Sequence, residues 1–325
     1  MLMSIEETRK KIEEGEILFL AGDEDLLKQL PRGKWIGGSI PYFMDTTGGI
    51  TTKDKIFASK PPAYLKDIQI QWYSAAKLSK ITADAPENGF SVIIIPATSK
   101  AHVDYAEKAP GFENIFLRPI IGWIAGVHLS DLGKITPKTF NGMTGDNSDQ
   151  DAVVMHVTLP PDKLASIGIV NIFQQGNGDT ITFDTEGFSV NDCYINGKKQ
   201  NFADYVLANK IDTRYPLVAN YCGAMVNVSF QAVLEAEKIV NLYAPVFQHV
   251  EYKLAAPVAD YVKDFQAAVP AEVSNPAFSC NCILNFLYSE LEGKKTGDII
   301  GPMTFGEVAY QLLNQTMVYV DIMDV

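Results

Sequence analysis

The sequence predicts an α+β (mixed α/β) fold of two packed subdomains, in which mixed or antiparallel sheets are flanked by helices. Short apolar stretches alternate irregularly with helical patterns, and hairpin signals such as Asn196-Gly197 recur, which disfavours strict βαβ winding. With 325 residues the chain also exceeds the ~100–200 residues typical of one domain, so two subdomains are expected.

The first half opens with a helix over 5–14. Ser4 and Glu7 form a capping-box pattern before it, and Gly15 ends it. Asp23 is placed to cap a second helix, which Pro31 follows. The further elements expected in this half are strands at 16–22, 34–44, 68–73, 90–96 and 115–121, a hairpin turn at 45–52, and helices at 24–30 and 99–108.

The polar, Gly- and Pro-containing stretch 135–150 is the best candidate for a boundary, which gives domains at 1–150 and 151–325. Strands and helices resume after it. The elements expected in the second half are strands at 151–159, 226–232, 236–243 and 316–322, strand-like segments at 165–174 and 179–185, and helices at 202–209, 256–268 and 283–291.

The charge balance bears on partners. The chain has 27 basic and 39 acidic residues, a net charge of −12, which disfavours nucleic acid and anionic membrane surfaces. No apolar run reaches the ~20 residues that span a bilayer, and the first 16 residues lack a signal-peptide pattern. Four scattered cysteines are not a disulfide framework. We therefore expect a soluble cytoplasmic protein with reduced thiols.

The cysteines of the segment FSCNC, Cys280 and Cys282, are the first candidates for chemistry. Alternate positions on a strand share a face, so two thiolates there are able to bind a soft metal, but a structural zinc site needs four ligands. Cys280 is alternatively a nucleophile, which needs a nearby base or cation to lower its pKa. The third interpretation is that both cysteines are buried and inert. No metal site is predicted.

Glu307 and Asn314 are candidate ligand-binding polar residues. Glu307 lies between an apolar run and the glycine pair Gly301 and Gly306. It is interpreted either as a carboxylate that grips a ligand or as a glutamate favoured at a helix N-terminus. Asn314 stands between an expected helix and the final strand, as a cap or as an amide facing the same pocket.

Gly37-Gly38 lies within an expected strand and lacks the pattern of a phosphate-binding loop. Glycines inside a strand indicate a bulge or a close approach of the backbone, and close approach also suits a ligand.

Three segments near the C-terminus, in fixed order, resemble the end of the FIST C-terminal domain. These are FSCNC (278–282), GPMTFGEV (301–308) and LNQTMVYV (313–320). The segments YINGKKQNFADYV and VNLYAPVFQHVEYKLA are also similar to elements of that domain. The opening ILFLAGDEDLLKQL with WIGGSIPYF looks like a shortened FIST N-terminal domain. Ile283 stands where that family commonly has Arg.

The resemblance implies a stand-alone, non-enzymatic sensory protein that binds an amino acid or similar metabolite and signals through a separate protein. It implies a ligand site at the junction of the two halves, and the residues assigned to that site are Gly37, Gly38, Cys280, Asn281, Phe305, Glu307 and Asn314.

Three alternatives remain at this point. One is an enzyme with Cys280 as nucleophile and a carboxylate or His partner. Another is haem, reported for some members of the family, held non-covalently through His249 or another single His, since no C-x-x-C-H is present. The last is a scaffold without a ligand, in which the apolar final strand is an edge used for dimerisation.

Overall fold

The computed structural model describes residues 1–221, 223–271, 273 and 276–325, and it confirms an α+β fold with mixed sheets. Cys222 lies outside the described residues. No helix in the described part of the chain is long and apolar enough to cross a membrane. The helices in these residues are α1 (Ile5–Glu13), α2 (Glu24–Leu27), α3 (Ile81–Asp84), α4 (Lys100–Lys108), α5 (Phe202–Ala208), α6 (Tyr261–Ala268) and α7 (Ile283–Tyr288).

Strands supply most of the regular structure. Those of the N-terminal part are β1 (Leu2–Met3), β2 (Leu18–Gly22), β3 (Trp35–Ser39), β4 (Tyr42–Asp45), β5 (Gly48–Thr51), β6 (Ile56–Ser59), β7 (Asp67–Tyr73), β8 (Gly89–Pro96), β9 (Ile120–Ala125), β10 (Thr139–Asn141), β11 (Asp146–Ser148), β12 (Ala152–Thr158) and β13 (Lys163–Val170). Those that follow are β14 (Ile181–Thr182), β15 (Gly187–Val190), β16 (Asp192–Ile195), β17 (Lys198–Asn201), β18 (Leu217–Tyr221), β19 (Ala224–Val228), β20 (Phe230–Leu234), β21 (Ile239–Val246), β22 (Tyr252–Leu254), β23 (Phe278–Cys282), β24 (Gly301–Thr304), β25 (Glu307–Ala309), β26 (Gln311–Leu313) and β27 (Met317–Asp324).

The chain divides into two compact units, and the second is inserted into the first. The first unit contains residues 1–170, 269–312 and 317–325, and the second contains 171–268 and 313–316. This division differs from the boundary expected within 135–150. That stretch forms the hairpin β10–β11, and β10 pairs with β3, so the backbone bonds of a polar segment hold it inside the first unit.

The first unit contains three six-stranded sheets among the described residues. Their strand orders are β1-β6-β2-β3-β10-β11, β26-β25-β9-β8-β12-β7 and β13-β27-β23-β24-β4-β5. β8 is buried along its whole length, pairs in parallel with β9 and antiparallel with β12, and so confirms the prediction of a central strand.

Local signals predicted several elements of the first unit correctly. The capping box of Ser4 and Glu7 is present at the start of α1, and Asp23 accepts a hydrogen bond at the start of α2. The strand expected over 34–44 is instead two strands. β3 ends at Ser39, and β4 begins at Tyr42. The strand expected over 115–121 begins later, since 115–117 is a 3-10 turn.

The second unit is built on hairpins. Its sheets have the orders β17-β16-β14-β22-β18-β19 and β15-β21-β20 in the described residues. The Asn196-Gly197 hairpin joins β16 to β17 as predicted, and both residues take positive φ, which this turn requires. Asn201 caps α5 through a bond from the Asp204 amide.

The C-terminal segment differs most from expectation. Residues 301–313 form β24, β25 and β26, so Glu307 lies in a strand and not at a helix N-terminus. Tyr310 takes positive φ between β25 and β26, and Gln315 takes positive φ between β26 and β27, which separates these strands. The final strand, β27, is not an edge, because β13 and β23 flank it.

Candidate functional site

Cys280 and Glu307 lie close to the same strand of the first unit, β9. Glu307 on β25 is directly opposite Trp123, and the Cys280 thiol donates to the Gly122 carbonyl at 3.3 Å. Cys280, Glu307 and Trp123 are each at most 1% exposed. The sequence therefore paired two side chains that the fold does bring together, inside the core.

The surroundings of Cys280 oppose thiolate chemistry. Burial, and next the charge of Glu307, raise the pKa of the Cys280 thiol well above its ordinary value. A nucleophilic cysteine needs the opposite shift. The neutral thiol instead serves as a small packed side chain and a weak donor.

Asn281 and Thr304 hold the backbone together beside these residues. The Asn281 side-chain oxygen accepts from the Cys282 amide at 2.7 Å and from the Asn285 side chain at 2.9 Å, at the start of α7. The Thr304 hydroxyl lies 3.2 Å from the Asn281 carbonyl and 3.5 Å from a Glu307 oxygen. These contacts give Asn281 a structural role at the junction of β23 and α7.

The cavity beside Cys280 and Asn281 is about 10 Å³. A single water needs roughly 10–15 Å³ on this measure, and ligand pockets occupy about 300–1,000 Å³. An amino acid does not fit this cavity, so binding at Cys280, Asn281 and Glu307 stays a prediction without open space to support it.

Gly37, Gly38 and Phe305 are explained by close packing. A Cβ on Gly38 would lie 2.6 Å from the Ile94 side chain and 3.0 Å from the Trp123 indole nitrogen, and one on Gly37 would lie 3.2 Å from a backbone oxygen. Phe305 occupies the space over Gly126, where a Cβ would be 2.4 Å from its ring. Side chains of the protein fill the space that the glycines leave.

Asn314 belongs to the second unit and is fully buried there. Its carbonyl accepts from the Asn227 side chain at 3.0 Å, and its own amide nitrogen donates to the Leu313 carbonyl at 3.1 Å. Gln315 bonds Ser229 and the Arg214 carbonyl. The side-chain amides of Asn227 and Gln315 therefore hydrogen-bond residues 313–316 to the rest of the second unit.

The described residues contain no group of three or more His, Cys, Asp or Glu arranged to hold a metal ion. His249, the residue considered for haem, is exposed, with a φ of 61°. Its neighbours in a shallow depression include Gln175, Asn220 and Glu251, whereas haem needs an apolar slot. These residues do not fit haem.

A chain of hydrogen bonds, buried from Ser91 to Tyr73 and ending on the exposed Asp84, runs across the second sheet of the first unit. Ser91 Oγ lies 2.7 Å from His156 Nδ1, His156 Nε2 lies 2.9 Å from the Tyr73 hydroxyl, and that hydroxyl donates to Asp84 at 2.9 Å. Because Tyr73 donates to Asp84, Nε2–H donates to Tyr73 and Nδ1 accepts from Ser91. Burial lowers the pKa of His156 to about 4.

Ser91 donates a hydrogen bond to His156, as the nucleophilic serine of a hydrolase does, but Ser91 is 0% exposed. A nucleophile must reach its substrate, so the role of these bonds is structural. They fix the neutral tautomer of His156 and join β7, β8, β12 and α3.

The first unit has a groove of about 590 Å³ between two of its sheets. One wall comes from β1, β6 and the start of β2, and the other from β23, the segment before β24 and the end of β27. Its apolar lining residues include Met3, Leu18, Phe57, Ala58, Phe278, Ile300 and Ile322.

Charged groups of both signs border the groove. Glu16 pairs with Lys11 at 3.0 Å and with Lys60 at 3.8 Å on the first wall. Asp298 and Asp321 belong to the second wall. An apolar floor with a charged rim is typical of a site for a small ligand that carries both kinds of surface.

The sequence interpretation missed this groove. Its walls come from strands that are distant in sequence, such as β6 and β27, so no spacing pattern joins them. One local signal was present, Lys60-Pro61-Pro62 directly after an apolar strand, since prolines end a strand and leave its edge open.

Comparison with known proteins gives one family. The model of a family of unknown function, DUF6976, matches residues 3–323, so the chain belongs to that family. No curated protein matches the chain.

Proposed function

We propose that this member of the DUF6976 family is a small-ligand-binding, non-enzymatic sensory protein whose ligand occupies the groove of the first unit. The observation that carries the proposal is the groove itself, with a volume of about 590 Å³, an apolar floor and a charged rim. That volume is within the range of small-molecule sites.

The groove is preferred over the residues that the FIST resemblance implied. The cavity at Cys280 is about 10 Å³, and Glu307 is fully buried, whereas the groove is open and about 590 Å³ in volume. The buried, neutral Cys280 thiol also gives no support to the nucleophile alternative.

The ligand class follows from the rim. Lys11 and Lys60 on one wall both pair with Glu16, and a ligand carboxylate binds them in competition with that side chain. Asp321 on the other wall suits an ammonium group, as does Asp298, which pairs with Lys295. A zwitterion with an apolar side chain satisfies both walls and the floor. We therefore propose an amino acid or similar metabolite as the ligand.

Signal output and location are part of the same proposal. A separate protein reads the bound state. A cytoplasmic location is supported by the buried thiols of Cys193, Cys280 and Cys282, which are not joined in disulfides, since oxidising compartments favour disulfides.

The test is calorimetry and thermal shift with each of the common amino acids on the full chain. A ligand at one hundred times its Kd stabilises the folded state by about 2.7 kcal/mol. Lys60→Glu reverses the rim charge and weakens binding of a carboxylate at least about tenfold, since charge-assisted bonds contribute roughly 1.5–3 kcal/mol.

The matched control is Lys80→Glu, which makes the same charge change at an exposed residue away from the groove. Cys280→Ser retains binding if the groove is the site and alters it if the Cys280 region is. The proposal fails if no amino acid binds, or if Lys80→Glu weakens binding as much as Lys60→Glu does.

A further inference from the structure

The strand β13 is a long edge of its sheet. It spans eight residues, Lys163–Val170, and β27 is its sheet neighbour on one side only in the described part of the chain. Edge strands present unpaired backbone donors and acceptors, which are a template for another strand. The question is which of its groups face outward.

The pairing register answers this. Lys163 is opposite Asp324, and Val170 is opposite Met317. The amide of Val325 donates to the Asp162 carbonyl at 3.1 Å, so 162 and 325 form a hydrogen-bonded pair. Such pairs alternate along an antiparallel ladder. The even-numbered residues of β13 therefore bond β27, and the odd-numbered residues direct their N–H and C=O groups away from it.

Three consecutive outward positions are open. Among the described residues, no hydrogen bond outside the ladder is found for the backbone of Ala165, Ile167 or Ile169. The next outward residue differs, because the Lys163 carbonyl accepts from the Asn88 side chain at 3.1 Å. The open edge is therefore the segment 165–169.

We propose that two copies of this chain pair antiparallel through β13, about a two-fold axis at Ile167. Ile167 then lies opposite its own equivalent, and Ala165 lies opposite Ile169 of the second copy. All three pairs join outward-facing residues, so each exchanges two backbone hydrogen bonds. A register centred on Ser166 instead requires the Lys163 carbonyl that Asn88 already occupies.

The side chains suit this self-pairing. Ala165, Ile167 and Ile169 point to one face, where they form an uncharged cross-strand cluster with their equivalents. On the other face Leu164 lies opposite Val170. Leu164 and Ile169 are 49% and 45% exposed in the single chain, and both lose exposed apolar surface in the pair.

The side chains of the open edge favour a second copy over another protein. In the register centred on Ile167, residues 164–170 carry no charge, so no like charges are opposed, and the exposed Leu164 and Ile169 lie opposite Val170 and Ala165. An unrelated extended peptide would use the same backbone bonds but would match these side chains only if its own sequence did.

Sedimentation equilibrium of the full chain tests the proposal, at about 150 mM salt so that the net charge of −12 is screened. The expected mass at high concentration is twice the 35.8 kDa of one chain. Hydrogen exchange at the amides of Ala165, Ile167 and Ile169 should slow on association.

Charge pairs at residue 167 test the register. Ile167→Lys and Ile167→Glu each place like charges opposite each other and should weaken association at least about tenfold, whereas an equimolar mixture of the two should recover the dimer. Ile167→Thr keeps the amide and strand propensity, and is the matched control that stays dimeric.

Two results overturn the proposal. One is a wild-type chain of 35.8 kDa at every concentration, whether or not it binds an extended peptide at the same amides. The other is a dimer that persists in both charged variants, because it would use another surface. Since the two charged variants must recombine, loss of folding in either is distinguished from loss of pairing.

Discussion

Acid should destabilise this protein through His156, whose protonation has no place in the hydrogen-bond chain that holds it. Burial lowers its pKa to about 4 in the folded state, against an ordinary value of 6.5. The unfolded state therefore binds more protons between these values, so the free energy of unfolding falls as the pH falls from 6.5 to 4 and the effect is complete below 4.

The magnitude follows from the shift. A difference of about 2.5 pKa units at 1.36 kcal/mol per unit gives about 3 kcal/mol for this one imidazole. His156 is 3% exposed, so solvent screening does not reduce the figure much. His102, whose pKa burial also lowers to about 4, adds a second contribution, and carboxylates add more. Because the wild type and a His156 variant share the contributions of His102 and the carboxylates, comparing the two isolates the contribution of His156.

The assay is urea unfolding of the wild type and of His156→Gln at a series of pH values from 7 to 4. The wild type should lose about 3 kcal/mol more than the variant across this range. His249→Asn is the control, because it removes an exposed imidazole that is not part of these hydrogen bonds. Asn also tolerates the positive φ of residue 249. Parallel losses in the wild type and His156→Gln would refute the reasoning.

Three further outcomes follow from packing in the first unit. Gly38→Ala should lower the free energy of unfolding by roughly 1–3 kcal/mol, because the new Cβ meets Ile94 at 2.6 Å, while Gly178→Ala, in open space, should not; urea midpoints measure both. Iodoacetamide should label Cys280 at least ~100-fold more slowly in the native than in the unfolded chain at about pH 8, and a native rate within tenfold of the unfolded one contradicts its burial. Asn281→Ala should cost about 1–3 kcal/mol in the same unfolding assay, since two buried donors lose their acceptor, and an unchanged midpoint argues against the bonds described.

Elements with local causes were predictable from the sequence. The capping box at Ser4, the Asn196-Gly197 hairpin and the apolar strand at 90–96 each depend on residues within a few positions of one another. The α+β class followed from many such signals together.

Features with non-local causes were not predictable in this way. Residues 301–313 become strands because β25 pairs with β9, almost 190 positions earlier in the chain, and β24 pairs with β4. The division into compact units differs from the boundary expected at residue 150 for the same reason, since β10 returns to β3.

The candidate site likewise has one part that the sequence predicted and one part that it did not. Motif order correctly associated Cys280 with Glu307, but it does not reveal that both are buried at the same strand. The groove was missed because its walls meet only in the folded chain. Burial and concavity are properties of the assembled sheets, and a sequence pattern records them only indirectly.

The insertion of the second unit has a consequence for synthesis on the ribosome. Two of the three sheets of the first unit contain strands from both before residue 171 and after residue 268, and β27 completes one of them. At about 5–20 residues per second, the nascent N-terminal segment therefore waits several seconds for its missing strands. During that interval the apolar β9 has no β25 beside it, so this protein should depend on chaperones co-translationally more than its size suggests.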